Sequence, residues 1–332
     1  METKSNMAQS RMIFYDDGLN EIGSLPFQEA QMEQVWGNVS QVGDAVYLAP
    51  FGDFKTGAGH EVLEISLANG TTTRHDVGES VLAGCAATDR FAFAYNNLNG
   101  AASLIRCDKQ TGETKKIEIP EDIITNVTCT EGKVWAFADR EVSSASPDPS
   151  SANVEEQGVL YCYDNDLNLL DTFDLSTFGS GVYRTLVKDN RIFFTRVGGS
   201  EGKTTSTLGV FDAATGKLAT VSLDHAYANG LALDGDKLYI SYCDVIADRS
   251  SAYAISVYDL NDGSLETNEV PLAPVEIAIS RGKLYVLDSF NRQLAVLDPA
   301  TYEVLHTVEV SSMDNDYSYL GNLIPMPEKE AE

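Results

Sequence analysis

Positive charge is scarce in this chain. Against 50 Asp and Glu stand 23 Lys and Arg, a formal net charge of −27 over 332 residues. Such a surface repels phosphates instead of neutralising them, which argues against a nucleic-acid partner. Long hydrophobic runs are missing as well. None approaches the roughly 18 residues of a membrane-spanning helix, and Met1 to Ser10 lacks the apolar core of a secretory leader. The five cysteines (Cys85, Cys107, Cys129, Cys162 and Cys243) sit singly in apolar runs without a CxxC pair. They read as buried free thiols with room for one disulfide, not as a disulfide framework or a thiolate zinc site. His60, His75, His225 and His306 are too dispersed for a metal cluster. No P-loop or GxSxG occurs, and no GxGxxG follows a strand.

What is present is apolar residue in quantity. Hydrophobic residues make up 43 %, enough for a large core and too much for a disordered chain. The polar opening, rich in Lys, Ser, Asn and Gln, resembles a tether left after a leader is removed. With the acidic surface it points outside the cytoplasm, to a secreted or lipid-anchored protein. A cytoplasmic protein is the alternative.

One pattern recurs: an apolar strand, an Asp, a short turn rich in Thr, Asn and Gly, then another strand. The turn Asp is Asp16, Asp108, Asp164, Asp212, Asp259 and Asp298, and Ser66-Leu-Ala-Asn-Gly70 fills the slot between the first two. Asp caps its own turn and Gly tolerates the positive φ that such turns need. Repeats of roughly 40–50 residues, rich in Val, Ile, Tyr, Phe and Thr and alternating with period two as in Lys237-Leu-Tyr-Ile-Ser-Tyr242, specify an all-β, seven-bladed β-propeller. Inner strands are predicted near residues 36, 81, 124, 182, 227, 274 and 319. The seventh blade closes the ring, with outer strands from Met12 to Phe27 and an innermost strand from Tyr319 to Ile324. No segment offers itself as its second strand, so three strands are expected. The domain reading is a flexible segment at 1–11, one propeller over 12–326 and a tail at 327–332.

The sixth repeat, Lys283-Leu-Tyr-Val-Leu-Asp288 through Val296-Leu-Asp298-Pro-Ala-Thr to Val308, resembles the YVTN-type repeat of surface-layer and YncE-like seven-bladed propellers. The likeness is good over 284–308, fair over 207–223 and 255–270, and poor elsewhere. It implies an extracytoplasmic binding or scaffold protein.

Counting back from the second strand of each repeat aligns Asn38, Asn126, Arg184, Asn229, Glu276 and Asn322 as a ring around the central channel. Trp36, Tyr183, Tyr227 and Tyr319 lie just upstream, towards one mouth. Such convergence suits a small polar ligand or glycan. A Ca²⁺ site on Glu276, Asn229 and Asn322 is a sharper reading. The sharpest is a lactonase-like enzyme with Glu276 as base, Arg184 for an oxyanion and His225 within reach. The bland reading is that channel amides satisfy neighbouring backbone and water. Asp164, Asp166 and Asn168 imitate the start of a calcium loop, but Leu169 stands where its Gly belongs, so a plain turn is expected. Long connections at Asp139 to Gly158, Val197 to Ser206 and Asp244 to Ala252 fall in blades three to five and should cluster on one face as a partner surface. The reading is a monomeric, non-catalytic binding propeller that requires no cofactor, with Ca²⁺ a candidate and a small molecule, glycan or protein as partner.

Overall fold

In the computed structural model each repeat becomes an antiparallel four-stranded sheet, and seven such sheets form a ring. The structure describes residues 1–4, 9–29, 38–50, 59–98, 100–143, 154–196, 206–245, 250–313 and 318–326. Blades one to six run continuously over 40–76, 84–120, 122–174, 182–222, 228–269 and 276–309, and each inner strand begins within four residues of its predicted place.

The blades hold together face to face. Each adjacent pair shares one apolar cluster, such as Trp135, Phe194 and Phe211 between blades three and four, or Tyr239, Ile255 and Val286 between blades five and six. A blade wedged between two neighbours buries both faces of its middle strands. The second strand of blade five, Lys237–Asp244, is accordingly buried from Leu238 onward. The alternation read into 237–242 is therefore not an in–out pattern. It is seen in the outermost strands instead, as in Thr114–Pro120.

The turn aspartates do what their repetition predicts. Asp108 Oδ1 accepts the backbone N–H groups of Gln110 and Thr111 at 3.0 and 3.1 Å, and Asp212 Oδ1 those of Ala214 and Thr215 at 2.9 and 2.8 Å. Asp164 Oδ1 likewise accepts from Asp166 and Asn168, so the calcium-loop imitation is a capped turn. All five cysteines are free, four of them buried.

Blade seven departs from expectation. Its order is Ser318–Leu320, Glu2–Lys4, Ser10–Tyr15, Glu21–Phe27, so it has four strands, and part of the segment expected to be flexible supplies the second. Thr3 pairs with Tyr319 on one side and Ser10 on the other. A charged residue, Glu2, anchors this strand. Its carboxylate is buried and accepts from Arg11 Nε at 2.7 Å, Arg292 Nη2 at 2.9 Å and the Met313 N–H at 3.2 Å.

Two of the three long connections are partly strand. Lys133–Ser143 and Val154–Asp164 pair as far as Ser143 with Val154, and Asp244 pairs with Ser250. The remainder, with nearly all of the third connection and the tail at 327–332, lies outside the described residues.

Removing the Glu2 carboxylate leaves two half-buried guanidinium groups competing for water at the closure. Glu2→Ala should lower unfolding free energy by roughly 1–3 kcal/mol and speed amide exchange at Thr3 and Leu320. Unchanged urea midpoints would show that the closure does not depend on it.

Candidate functional site

The inner strands are not regular where they pass the predicted ring. Register irregularities fall between Ile124 and Asn126 in blade three, Val182 and Arg184 in blade four, and Ala228 and Leu231 in blade five. An extra residue in a strand bends it and re-aims the side chains beside it. Blade two breaks the set because Gly84 faces the Tyr95 ring, where a Cβ would lie 2.8 Å from Cε1.

Ring residues from non-adjacent blades meet across the channel. Asn38, leading into blade one, accepts the Thr185 N–H of blade four at 2.9 Å and donates to Asn126 Oδ1 of blade three at 3.3 Å. Thr185 Oγ1 donates to Asn126 Oδ1 at 3.1 Å and also contacts Asn38 Nδ2. Arg184 of blade four forms an ion pair with Glu276 of blade six, their residues only 7 % and 5 % exposed. Asn322 joins from blade seven, its carbonyl accepting from the Met1 α-amino group at 3.1 Å.

Two of the amides are staples between blades. Asn126 Nδ2 donates to Tyr183 O at 2.7 Å, and Asn229 Nδ2 to Val275 O at 2.7 Å. Each acceptor is the residue just before the ring position of the next blade. In blade two, Asn97 does the same from the second strand, exchanging two 2.9 Å bonds with Ile124. The satisfied-backbone reading therefore holds for Asn126 and for the amide nitrogen of Asn229. Asn229 Oδ1 is buried without a hydrogen-bond partner among the described residues.

Beside this polar layer lies a cavity of about 440 Å³. Asn38, Arg184, Glu276 and Asn322 line one end, and it continues along the inner strands to Gln41, Val187, Leu233 and Ile279. It thus extends towards the C-terminal ends of the inner strands. Tyr183, Tyr227 and Tyr319 precede the layer and are not among its lining residues, nor are Asn126, Asn229 and His225. His225 instead packs edge-on against Tyr242 at 5.1 Å. Trp36 lies outside the described residues. Because second strands run back against inner ones, the long connections of blades three to five leave from the end opposite the cavity. The pocket and the three described tyrosines, expected together, are in separate places, and the described strand ends that bear the long connections lie away from the pocket. Thr185 was not foreseen; a hydroxyl next to an Arg has no signature until the bulge brings it against Asn38.

Burial dominates the electrostatics. It pushes the Glu276 carboxyl up to about 7, against the opposing pull of Arg184 and the Met1 α-amino group. Burial also brings that amino group down to about 6. Farther out, burial raises Asp139 to about 6 although Gly181 N–H bonds to it. Among the described residues, no group of three His, Cys, Asp or Glu is placed to hold a metal ion.

No family model and no curated protein matches the chain. Solved structures do match. Apo AztD from Citrobacter koseri superposes with a TM-score of 0.53 at 10 % identity, over 96 % of this chain and 95 % of that one. Hydrazine synthase of Kuenenia stuttgartiensis gives 0.53 at 12 % identity, over 81 % and 78 %. The β-propeller domain of the trilobed protease from Pyrococcus furiosus gives 0.50 at 12 %, over 83 % and 82 %. At such identities the likeness shows the propeller fold and no activity.

A carboxyl raised in the folded state binds its proton more tightly there than in the unfolded chain. Its contribution to stability is full below the ordinary carboxylate range and is lost as pH rises through about 7. Wild type should therefore gain stability over Glu276→Gln by on the order of 2 kcal/mol between pH 8 and pH 5, read from urea midpoints. A pH-independent difference would mean an ordinary carboxylate.

Proposed function

We propose that the protein is a non-catalytic binding propeller that holds a small polar ligand in its channel cavity, with the loop-bearing opposite face free to engage a glycan or protein. The observation that carries this reading is the Arg184–Glu276 pair at the floor of a cavity of about 440 Å³. Convergent polar groups fix the orientation of a ligand in such a site. Here the lining is mostly polar: the pair with Asn38 and Asn322 forms one end and Ser40, Gln41 and Thr128 lie along it, while Val187, Leu233 and Ile279 pack against the clusters between blades.

The lactonase-like alternative draws support from the same convergence, since base and oxyanion group do meet. It fares worse on two counts. Arg184 is held by Glu276 instead of standing open to an oxyanion, and His225 is engaged elsewhere. Ca²⁺ is disfavoured too, because Glu276 is the sole carboxylate among the described lining residues and already faces the Arg184 guanidinium, which leaves little negative charge for a divalent cation. The names of the structural neighbours span a synthase, a protease and AztD, which suits a scaffold adapted to unrelated tasks. The acidic surface and the YVTN-type sixth repeat favour an extracytoplasmic monomer.

Replacing a buried ion pair by apolar residues of similar size is often neutral for stability. Arg184→Met/Glu276→Met should therefore keep its thermal midpoint yet lose any midpoint rise that small polar molecules give wild type. A rise that survives the double substitution would place the ligand outside the channel.

A further inference from the structure

Arg184 and Glu276 neutralise each other at one end of the cavity, and a charged ligand that enters there must replace one of them. The two replacements are chemically unequal. A cationic ligand seated on Glu276 brings a second positive charge beside Arg184, whose guanidinium cannot shed its proton in a protein. An anionic ligand seated on Arg184 strands Glu276, and a carboxylate can take a proton and become a neutral hydrogen-bond donor. Only the second exchange can be neutralised by a proton that the pair itself takes up.

The surroundings of Glu276 fit that exchange. The charged groups acting on it are Arg184, from blade four, and the Met1 α-amino group beside Asn322, from blade seven. Blade five contributes Leu231, Ala232 and Leu233 to the cavity, and its own blade contributes Ile277, Ala278 and Ile279, all without charge. Among the described residues no second carboxylate lines the cavity to repel an incoming anion, although the chain as a whole is strongly acidic. A planar guanidinium also matches a carboxylate with two parallel hydrogen bonds. Burial already favours the protonated form of Glu276, so the proton lost from solvent has a ready acceptor.

We propose that the channel binds a small carboxylate on the Arg184 guanidinium, with Glu276 taking up one proton from solvent as it is displaced. This assignment rests on the cavity being a ligand site and names the class of ligand it takes. No bond other than hydrogen bonds is made or broken, and the net charge of the cavity is unchanged, since anion and proton enter together.

Isothermal titration of the full chain with acetate, pyruvate and benzoate, and with methylguanidinium as the opposite charge, tests it. Carboxylates should bind and methylguanidinium should not. In two buffers of different ionisation enthalpy, wild type should take up close to one proton per carboxylate at pH 8, and affinity should fall about tenfold per pH unit above pH 7. Glu276→Gln should keep binding and lose the pH slope, and Arg184→Gln should lose binding. The wild-type proton count needs no variant, so a misfolded substitution does not shield the proposal. Preference for methylguanidinium overturns it. So does a slope unchanged in Glu276→Gln, which would move the proton to the Met1 amino group or elsewhere. If neutral or cationic molecules bind and Arg184→Met/Glu276→Met loses them, the cavity stands and the carboxylate assignment falls. If nothing binds wild type, both fall.

Discussion

Every blade of this molecule needs a neighbour on each side. In blades one to six the middle strands are largely apolar on both faces, and each of the seven wedges between blades is filled by at least one cluster of apolar side chains. A sheet of this kind has no solvent-tolerant face, so the ring is stable only when closed. Closure draws together residues far apart in sequence, and Glu2 shows how. Its buried carboxylate ties Arg11 of the same blade to Arg292 of blade six. Two half-buried guanidinium groups surround one carboxylate, which keeps the charge paired where the chain's two ends meet the sheet.

Crowding the inner strands around one axis has a second consequence. Backbone and side-chain polar groups face a narrow channel and must find partners there. Asn126 and Asn229 solve this locally, each bonding to the carbonyl that enters the next blade. Asn38 and Thr185 solve it across the axis, tying blade one to blades three and four. Arg184 and Glu276 extend the same layer to blade six. A ligand at the pair would thus touch a network that spans four of the seven blades, so occupancy and the rigidity of the inner strands are physically linked.

The propeller was legible because its signals are repeated. A turn that needs an Oδ1 acceptor two or three residues back writes Asp at the same place in repeat after repeat, and the inner strands follow by counting. The ring of polar residues was legible for the same reason. Glu2–Lys4 was not, because three residues carry no period and a buried Glu mimics a solvated one until its two arginines arrive from elsewhere in the chain. The extended hairpin from Lys133–Ser143 to Val154–Asp164 was hidden because its far end is written in polar residues without an apolar period. Nor could counting show that the aligned ring divides into staples and a charged pair. Bulges at Asn126, Arg184 and Asn229 set where those side chains point, and a bulge leaves no mark in composition.

The charged pair is the feature that structure alone does not require. A channel at this level can be filled by amides, as blades three and five demonstrate, or by apolar side chains, as in the wedges. Burying a guanidinium and a carboxylate instead costs the hydration of both, and their attraction repays that only with good geometry. Stability is therefore a weak reason for the pair. Position is a better one: the pair stands where the polar layer meets the channel cavity, a neutralisable group facing a non-neutralisable one. An arrangement that is costly as a brace and able to exchange one anion for another is what the proposed carboxylate site requires, and a brace alone does not.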